Sequence, residues 1–146
     1  MPLIKQFDHI GVTVADLDAA AEFFTELGLE VEGRAFLEGD FVDVVCGIPD
    51  SRTEIVMLRP PGGGTGVELG TFIRPDHVPG SPDAMANELG FRNICFEVEG
   101  LEALLEALAA KGYGLVGGIG RYEDAWLMAH VRGPEGLIVS LSERIG

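Results

Sequence analysis

A chain of 146 residues and 15.6 kDa, 47% apolar and 23% charged, has the composition of one small globular domain or of two tightly joined modules. Ten basic against 24 acidic residues leave a net charge of −14, and no local Lys/Arg cluster offsets it. That field repels nucleic acid and anionic membrane, and no apolar run is long enough to span a bilayer.

In chain order, the first element is Phe7–Val14, which alternates with the period of a strand: Ile10, Val12 and Val14 on one face, Phe7, His9, Gly11 and Thr13 on the other. Asp16 then reads as a helix N-cap. Leu17, Ala20, Ala21, Phe24 and Leu27 form an apolar stripe, and Gly28 ends the helix. Strand-like segments follow at 30–36, 41–47, 54–58 and 66–72. Pro60-Pro61-Gly62-Gly63-Gly64 lacks the ending of a phosphate loop and is a flexible turn. A stretch rich in Pro, Asp and Gly from Arg74 to Glu88 connects to the second half, and His77 within it reads as a solvated loop residue.

The second half repeats the first. Phe91-Arg92-Asn93-Ile94-Cys95-Phe96-Glu97-Val98 restates Phe7–Val14 at a shift of 84 residues, and the same shift carries Leu17 to Leu101 and Gly28 to Gly112. A helix over Leu101–Leu108 precedes strand-like segments at 114–119, 124–131 and 137–142, with a turn at Gly133-Pro134-Glu135-Gly136. The reading is an α+β fold of two tandem βαβββ modules, at 5–72 and 90–146, joined by a connector at 73–89 within a single domain, 1–146. The expected sheet is curved like a cup, with the helices outside it. Cys46 and Cys95 fit no disulfide or zinc spacing and are expected as buried free thiols. No targeting segment is evident, so a cytoplasmic protein is expected.

Side-chain alternation carries the functional reading. Each helix packs on the consistently apolar strand face, so His9 and Asn93 point the other way. Val67 and Leu69 share the helix side and Glu68 opposes them. Val139 and Leu141 likewise leave Ser140 on the helix-free side. One imidazole, one carboxylate, one amide and one hydroxyl are thereby expected to line a common hollow. Trp126, Met128, His130 and Arg132 share one face of their strand, and the turn at Pro134 brings His130 near Ser140.

These motifs resemble the vicinal oxygen chelate superfamily, the glyoxalase/bleomycin resistance/dioxygenase group. The resemblance rests on Asp8-His9-Ile10, the helix end at Gly28, Gly66-Val67-Glu68-Leu69, Arg92-Asn93-Ile94-Cys95-Phe96 and the closing Arg132–Val139 segment. It implies a divalent metal (Zn, Ni, Co, Mn or Fe) that chelates adjacent substrate oxygens as a Lewis acid. Carried over position by position, the ligands fall on His9, Glu68, Asn93 and Ser140. The family usually has His at the third position and Glu at the fourth. The missing histidine argues against an Fe(II) dioxygenase, and serine supplies neither the charge nor the basicity of glutamate. His130 is the candidate replacement, giving a metal set of His9, Glu68, Asn93 and His130. Glu68 and His130 are the proton-moving groups, and Phe7, Phe91, Trp126, Met128 and Ser140 line the pocket.

The resemblance thus implies a lyase, isomerase or epimerase acting on a small molecule, with homodimerisation as in other members. Some members epimerise acyl-coenzyme A thioesters, but the charge of −14 argues against a highly phosphorylated substrate. The alternative is a metal-free protein that sequesters a drug or metabolite, as the antibiotic-resistance branch does.

Overall fold

The computed structural model describes residues 3–146, which divide into two compact units that meet between Pro79 and Gly80 in sequence. The first unit runs β1 (His9–Thr13), α1 (Leu17–Glu26), β2 (Glu30–Glu38), α2 (Asp40–Cys46), β3 (Arg52–Arg59) and β4 (Gly66–Arg74). Its four strands form one mixed sheet in the order β1-β4-β3-β2, with β1 parallel to β4 and the other pairs antiparallel. The second unit runs β5 (Asn93–Glu97), α3 (Leu101–Ala110), β6 (Gly120–Tyr122), β7 (Trp126–Arg132) and β8 (Ile138–Arg144). Its order, β5-β8-β7-β6, is the same arrangement, with β5 parallel to β8. The duplication legible in the sequence is therefore a duplication of topology, expressed as two four-stranded sheets.

The first-unit core forms where α1 meets the apolar strand face. Val14, Leu17, Ala20, Phe23, Phe24, Val56, Leu58, Val67 and Leu69 are all buried there, and the Phe23 and Phe24 rings meet edge-on at 5.1 Å. The expected caps are present. Asp16 accepts from the Ala19 amide at 3.0 Å, and Gly28 takes the left-handed side of backbone space at φ 111°. In the second unit, Leu101, Leu105 and Leu108 of α3 are buried, as are Ala129, Val131, Val139 and Leu141 of the sheet. The Glu143 carboxylate of β8 accepts from the first amides of α3, Gly100 at 2.7 Å and Leu101 at 3.1 Å.

Three local expectations change. The segment 41–47 is not a strand but the short helix α2. β2 and β3 already pair along their length, out to Leu37 with Thr53 and Glu38 with Arg52, so residues 39–51 are left as an excursion. Gly39 (φ 108°) and Gly47 (φ 70°) open and close it. The segment 114–119 makes only an isolated bridge, Leu115 with Val131, before the short edge strand β6. Cys46 and Cys95 are free but exposed rather than buried, since Cys46 lies on α2 and Cys95 on the helix-free side of β5. No helix among the described residues is long and apolar enough to cross a membrane.

Candidate metal and substrate site

The helix-free face of the first sheet is read from the registers. β1 places His9 beside Gly66 and Gly11 beside Glu68; β3 places Met57 beside Glu68, Ile55 beside Gly70 and Thr53 beside Phe72. His9, Gly11, Thr13, Glu68, Gly70, Phe72, Ile55 and Thr53 thus share one face, opposite the buried Val67, Leu69, Val56 and Leu58. The alternation argument holds for His9 and Glu68, which the structure brings together: His9 Nε2 lies 3.7 Å from Glu68 Oε2.

The neighbouring carboxylate organises this pair. Asp8 Oδ2 lies 2.7 Å from His9 Nδ1 and holds that nitrogen as a hydrogen-bond donor. This leaves Nε2 as the ring nitrogen that faces Glu68. The bond to His9 and the nearby Arg59 guanidinium together hold the Asp8 carboxyl below its ordinary range. Arg59 fixes the strand entrance, donating from Nη1 to the Asp8 and Gly64 carbonyls at 2.8 and 3.0 Å and from Nε to Glu32 at 2.8 Å. Asp8 and Arg59 thus surround His9, and neither is among the residues expected at the site from the sequence. The only sequence signal for Asp8 is its position directly before the histidine.

His9 Nε2 and the Glu68 carboxylate, two groups that commonly bind divalent metals, face each other across 3.7 Å. The gap suits a shared divalent ion, whose bonds to such donors are about 2.1 Å long. Among the described residues no group of three or more His, Cys, Asp or Glu forms a metal cluster, so His9 and Glu68 stand as a pair.

In the second unit, His130 of β7 pairs with Ser140 of β8, and Cys95 of β5 pairs with the same serine. Asn93 opens β5 and is exposed. Ser140 is buried, with 2% of its surface accessible. The Nδ1 atom of His130 is buried without a hydrogen-bond partner, a costly condition for a ring nitrogen and one that a ligand would relieve. Of the residues expected to line a pocket, Met128 is exposed and Trp126 is half-buried, with the Arg144 guanidinium 5.6 Å from its ring centre. Phe91 is exposed just before β5. Phe7 is exposed beside a concavity formed with Asp8, Glu32, Arg59 and Thr65. His77 is exposed but engaged, its Nε2 accepting from the Phe72 amide at 3.2 Å.

A second hollow in the first unit lies between α2 and the helix-free sheet face. It has a volume of about 260 Å³ and is lined by Gly11, Thr13, Val42, Cys46, Ile55 and Phe72, together with Glu68. The α2 helix that bounds it is braced by Asp43, whose carboxylate accepts from the Ser51 amide (2.9 Å), the Ser51 hydroxyl (2.7 Å) and the Asp50 amide (2.9 Å). These donors, the Ser51 hydroxyl foremost, hold the Asp43 carboxyl below its ordinary range.

The two units share one topology, and the first carries the His9–Glu68 pair on the sheet face opposite α1. The chain belongs to the Glyoxalase/Bleomycin resistance protein/Dioxygenase superfamily, whose family model matches residues 6–141. It is 28% identical to an ethylmalonyl-CoA/methylmalonyl-CoA epimerase of Cereibacter sphaeroides, over 97% of this chain and 99% of that one. Its fold matches the crystal structure of a glyoxalase family protein from Bacillus cereus with a TM-score of 0.95 and 33% identity, over 99% of this chain and 97% of that one. The fold alone is shared with the fosfomycin resistance protein FosX of Listeria monocytogenes, crystallised with Mn(II) and sulfate. That likeness has a TM-score of 0.58 and 15% identity, over 97% and 93% of the two chains.

Proposed function

We propose that the protein is a divalent-metal-dependent epimerase, isomerase or lyase acting on a small substrate with two adjacent oxygens. The observation that carries this reading is the His9–Glu68 pair at 3.7 Å with Asp8 locked onto the far side of the imidazole. An ion bound there, one of Zn, Ni, Co, Mn or Fe, would polarise the substrate oxygens and lower the acidity barrier at the adjacent carbon. Asp8 fixes the tautomer and orientation of His9. Glu68 offers one oxygen as a donor and, through its carboxylate, a place for a proton. The resemblance implies Asn93 and His130 as further donors, with His130 the alternative base; the buried, unpartnered Nδ1 of His130 supports a ligand-binding role for that ring. Ser140 is assigned to lining.

The relationship to an acyl-CoA epimerase supports the reaction class. The charges favour a substrate smaller than a coenzyme A thioester. All eight arginines already bond carboxylates or carbonyls, among them Arg34 with Glu54, Arg52 with Glu38, Arg74 with Asp50 and Arg132 with the Ala84 and Gly136 carbonyls. A phosphorylated carrier would find few free cations. Homodimerisation and a cytoplasmic setting complete the reading. Exposed Phe36, Phe41, Val44 and Val45 support the first as apolar surface available for association.

A second reading, a metal-free binder of a drug or metabolite, draws on Asn93 and Ser140 standing where the family usually has ligands. Metal titration with Ni, Co, Zn, Mn and Fe(II) separates the two. The enzyme reading expects binding that is lost in His9→Ala and weakened in Asn93→Ala or His130→Ala. The binder reading expects no affinity for any of these ions.

A further inference from the structure

We propose that the hollow between α2 and the first sheet is the specificity pocket of the site, taking a small apolar side group attached beside the chelating oxygens of the substrate. This deepens the reading above and rests on it. Glu68 belongs to both places: it faces His9 at 3.7 Å and lines the hollow. A substrate held by its oxygens at the His9–Glu68 pair therefore has one direction in which the hollow receives its side group.

The lining selects the chemistry of that group. Val42, Ile55 and Phe72 are apolar, Gly11 and Gly70 contribute no side chain, and Thr13 and Thr53 add only hydroxyls. No Lys or Arg lines the hollow, so a phosphate or carboxylate tail has no partner there. Its volume of about 260 Å³ is that of a small cavity, suited to a short side group rather than to a whole cofactor-sized ligand. A branched alkyl group, a short linear chain or a single ring fits these limits.

The hollow is also a built feature of one unit. The face of the first sheet opposite α1 carries α2 because thirteen residues, 39–51, separate β2 from β3; in the second unit only Glu123, Asp124 and Ala125 separate β6 from β7. α2 is positioned by its buried Val42 and by three hydrogen bonds to the Asp43 carboxylate, so the pocket wall exists before any ligand arrives.

The test uses the full-length protein, loaded with Ni(II), and alkyl hydroxamates as probes: two adjacent oxygens on a side chain of one to five carbons. Calorimetric affinity should rise about three- to fourfold per added methylene, the ordinary gain on burying such a group. In Gly11→Leu, whose new side chain points into open space, the slope should flatten to less than twofold across the series. A second readout needs neither metal nor variant. Hexanohydroxamate should slow iodoacetamide alkylation of Cys46, which lines the hollow, and leave Cys95 unaffected, as followed by peptide mass spectrometry. Equal affinities for all chain lengths in the wild-type protein, or no protection of Cys46, would overturn the pocket. Failure of the protein to take up Ni(II) would instead overturn the metal reading, while Cys46 protection would still support the pocket.

Discussion

Gly66 and Gly11 lie on neighbouring strands of the helix-free face, and exchanging each for alanine gives opposite expectations. A Cβ on Gly66 falls 2.8 Å from the Leu58 carbonyl oxygen and 3.1 Å from Arg59 Nη1; a Cβ on Gly11 meets nothing within 4 Å. Both substitutions restrict the unfolded chain, an effect worth about 0.4–1 kcal/mol in favour of folding. Only Gly66→Ala must push backbone aside on the central strand β3, an overpacking cost of about 1–3 kcal/mol. Gly66→Ala should therefore melt roughly 2–10 °C below Gly11→Ala in calorimetry or circular dichroism. The displacement also reaches the site. Arg59 Nη1 is the group that holds the Asp8 and Gly64 carbonyls, and Gly66 is the register partner of His9. Gly66→Ala should thus lose metal affinity as well as stability. Equal melting temperatures for the two variants would refute the packing argument.

Two further expectations concern carboxylates. Asp8→Ala frees the His9 ring and should weaken metal binding about 10- to 100-fold by calorimetry, with an unchanged circular dichroism spectrum; unaltered affinity would remove Asp8 from the site. Asp43 bears on α2. Its carboxyl is lowered from the ordinary 3.8 because the Ser51 hydroxyl and amide donate to the ionised form. With a folded-state value below the unfolded one, its stabilising contribution is complete above about pH 4 and disappears as pH falls through the lowered value. The Ser51 amide proton resonance should report this as a titration with a midpoint below 3.8 in the wild type and none in Asp43→Asn. A midpoint at or above 3.8 would contradict it.

The topology was legible because the chain states it twice. Alternation in Phe7–Val14 and in Phe91–Val98, each followed by an apolar helical stripe and a closing glycine, specifies the same unit at two places, and the register of β1 with β4 and of β5 with β8 follows it. The facing of His9 and Glu68 was legible for the same reason, since a period of two fixes which side chains oppose a buried face. α2 was not. Phe41, Val42, Val44 and Val45 have the composition of a strand, and only the prior pairing of β2 with β3 denies them a place in the sheet. The hollow beneath α2 was hidden with it. The bond from Asp8 to His9 was also out of reach, because neighbouring residues on an ideal strand point to opposite faces. Asp8 precedes the first strand residue, where that rule does not apply.

The account turns on whether His9 and Glu68 share an ion. Titrating the chelator-treated protein with Ni(II), Co(II), Zn(II) and Mn(II) by calorimetry, beside His9→Ala and Glu68→Ala, measures this most directly. The account predicts one ion per chain for at least one metal, with affinity at least 100-fold weaker in either variant. Binding of comparable strength in both variants, or none in the wild-type protein, would contradict it.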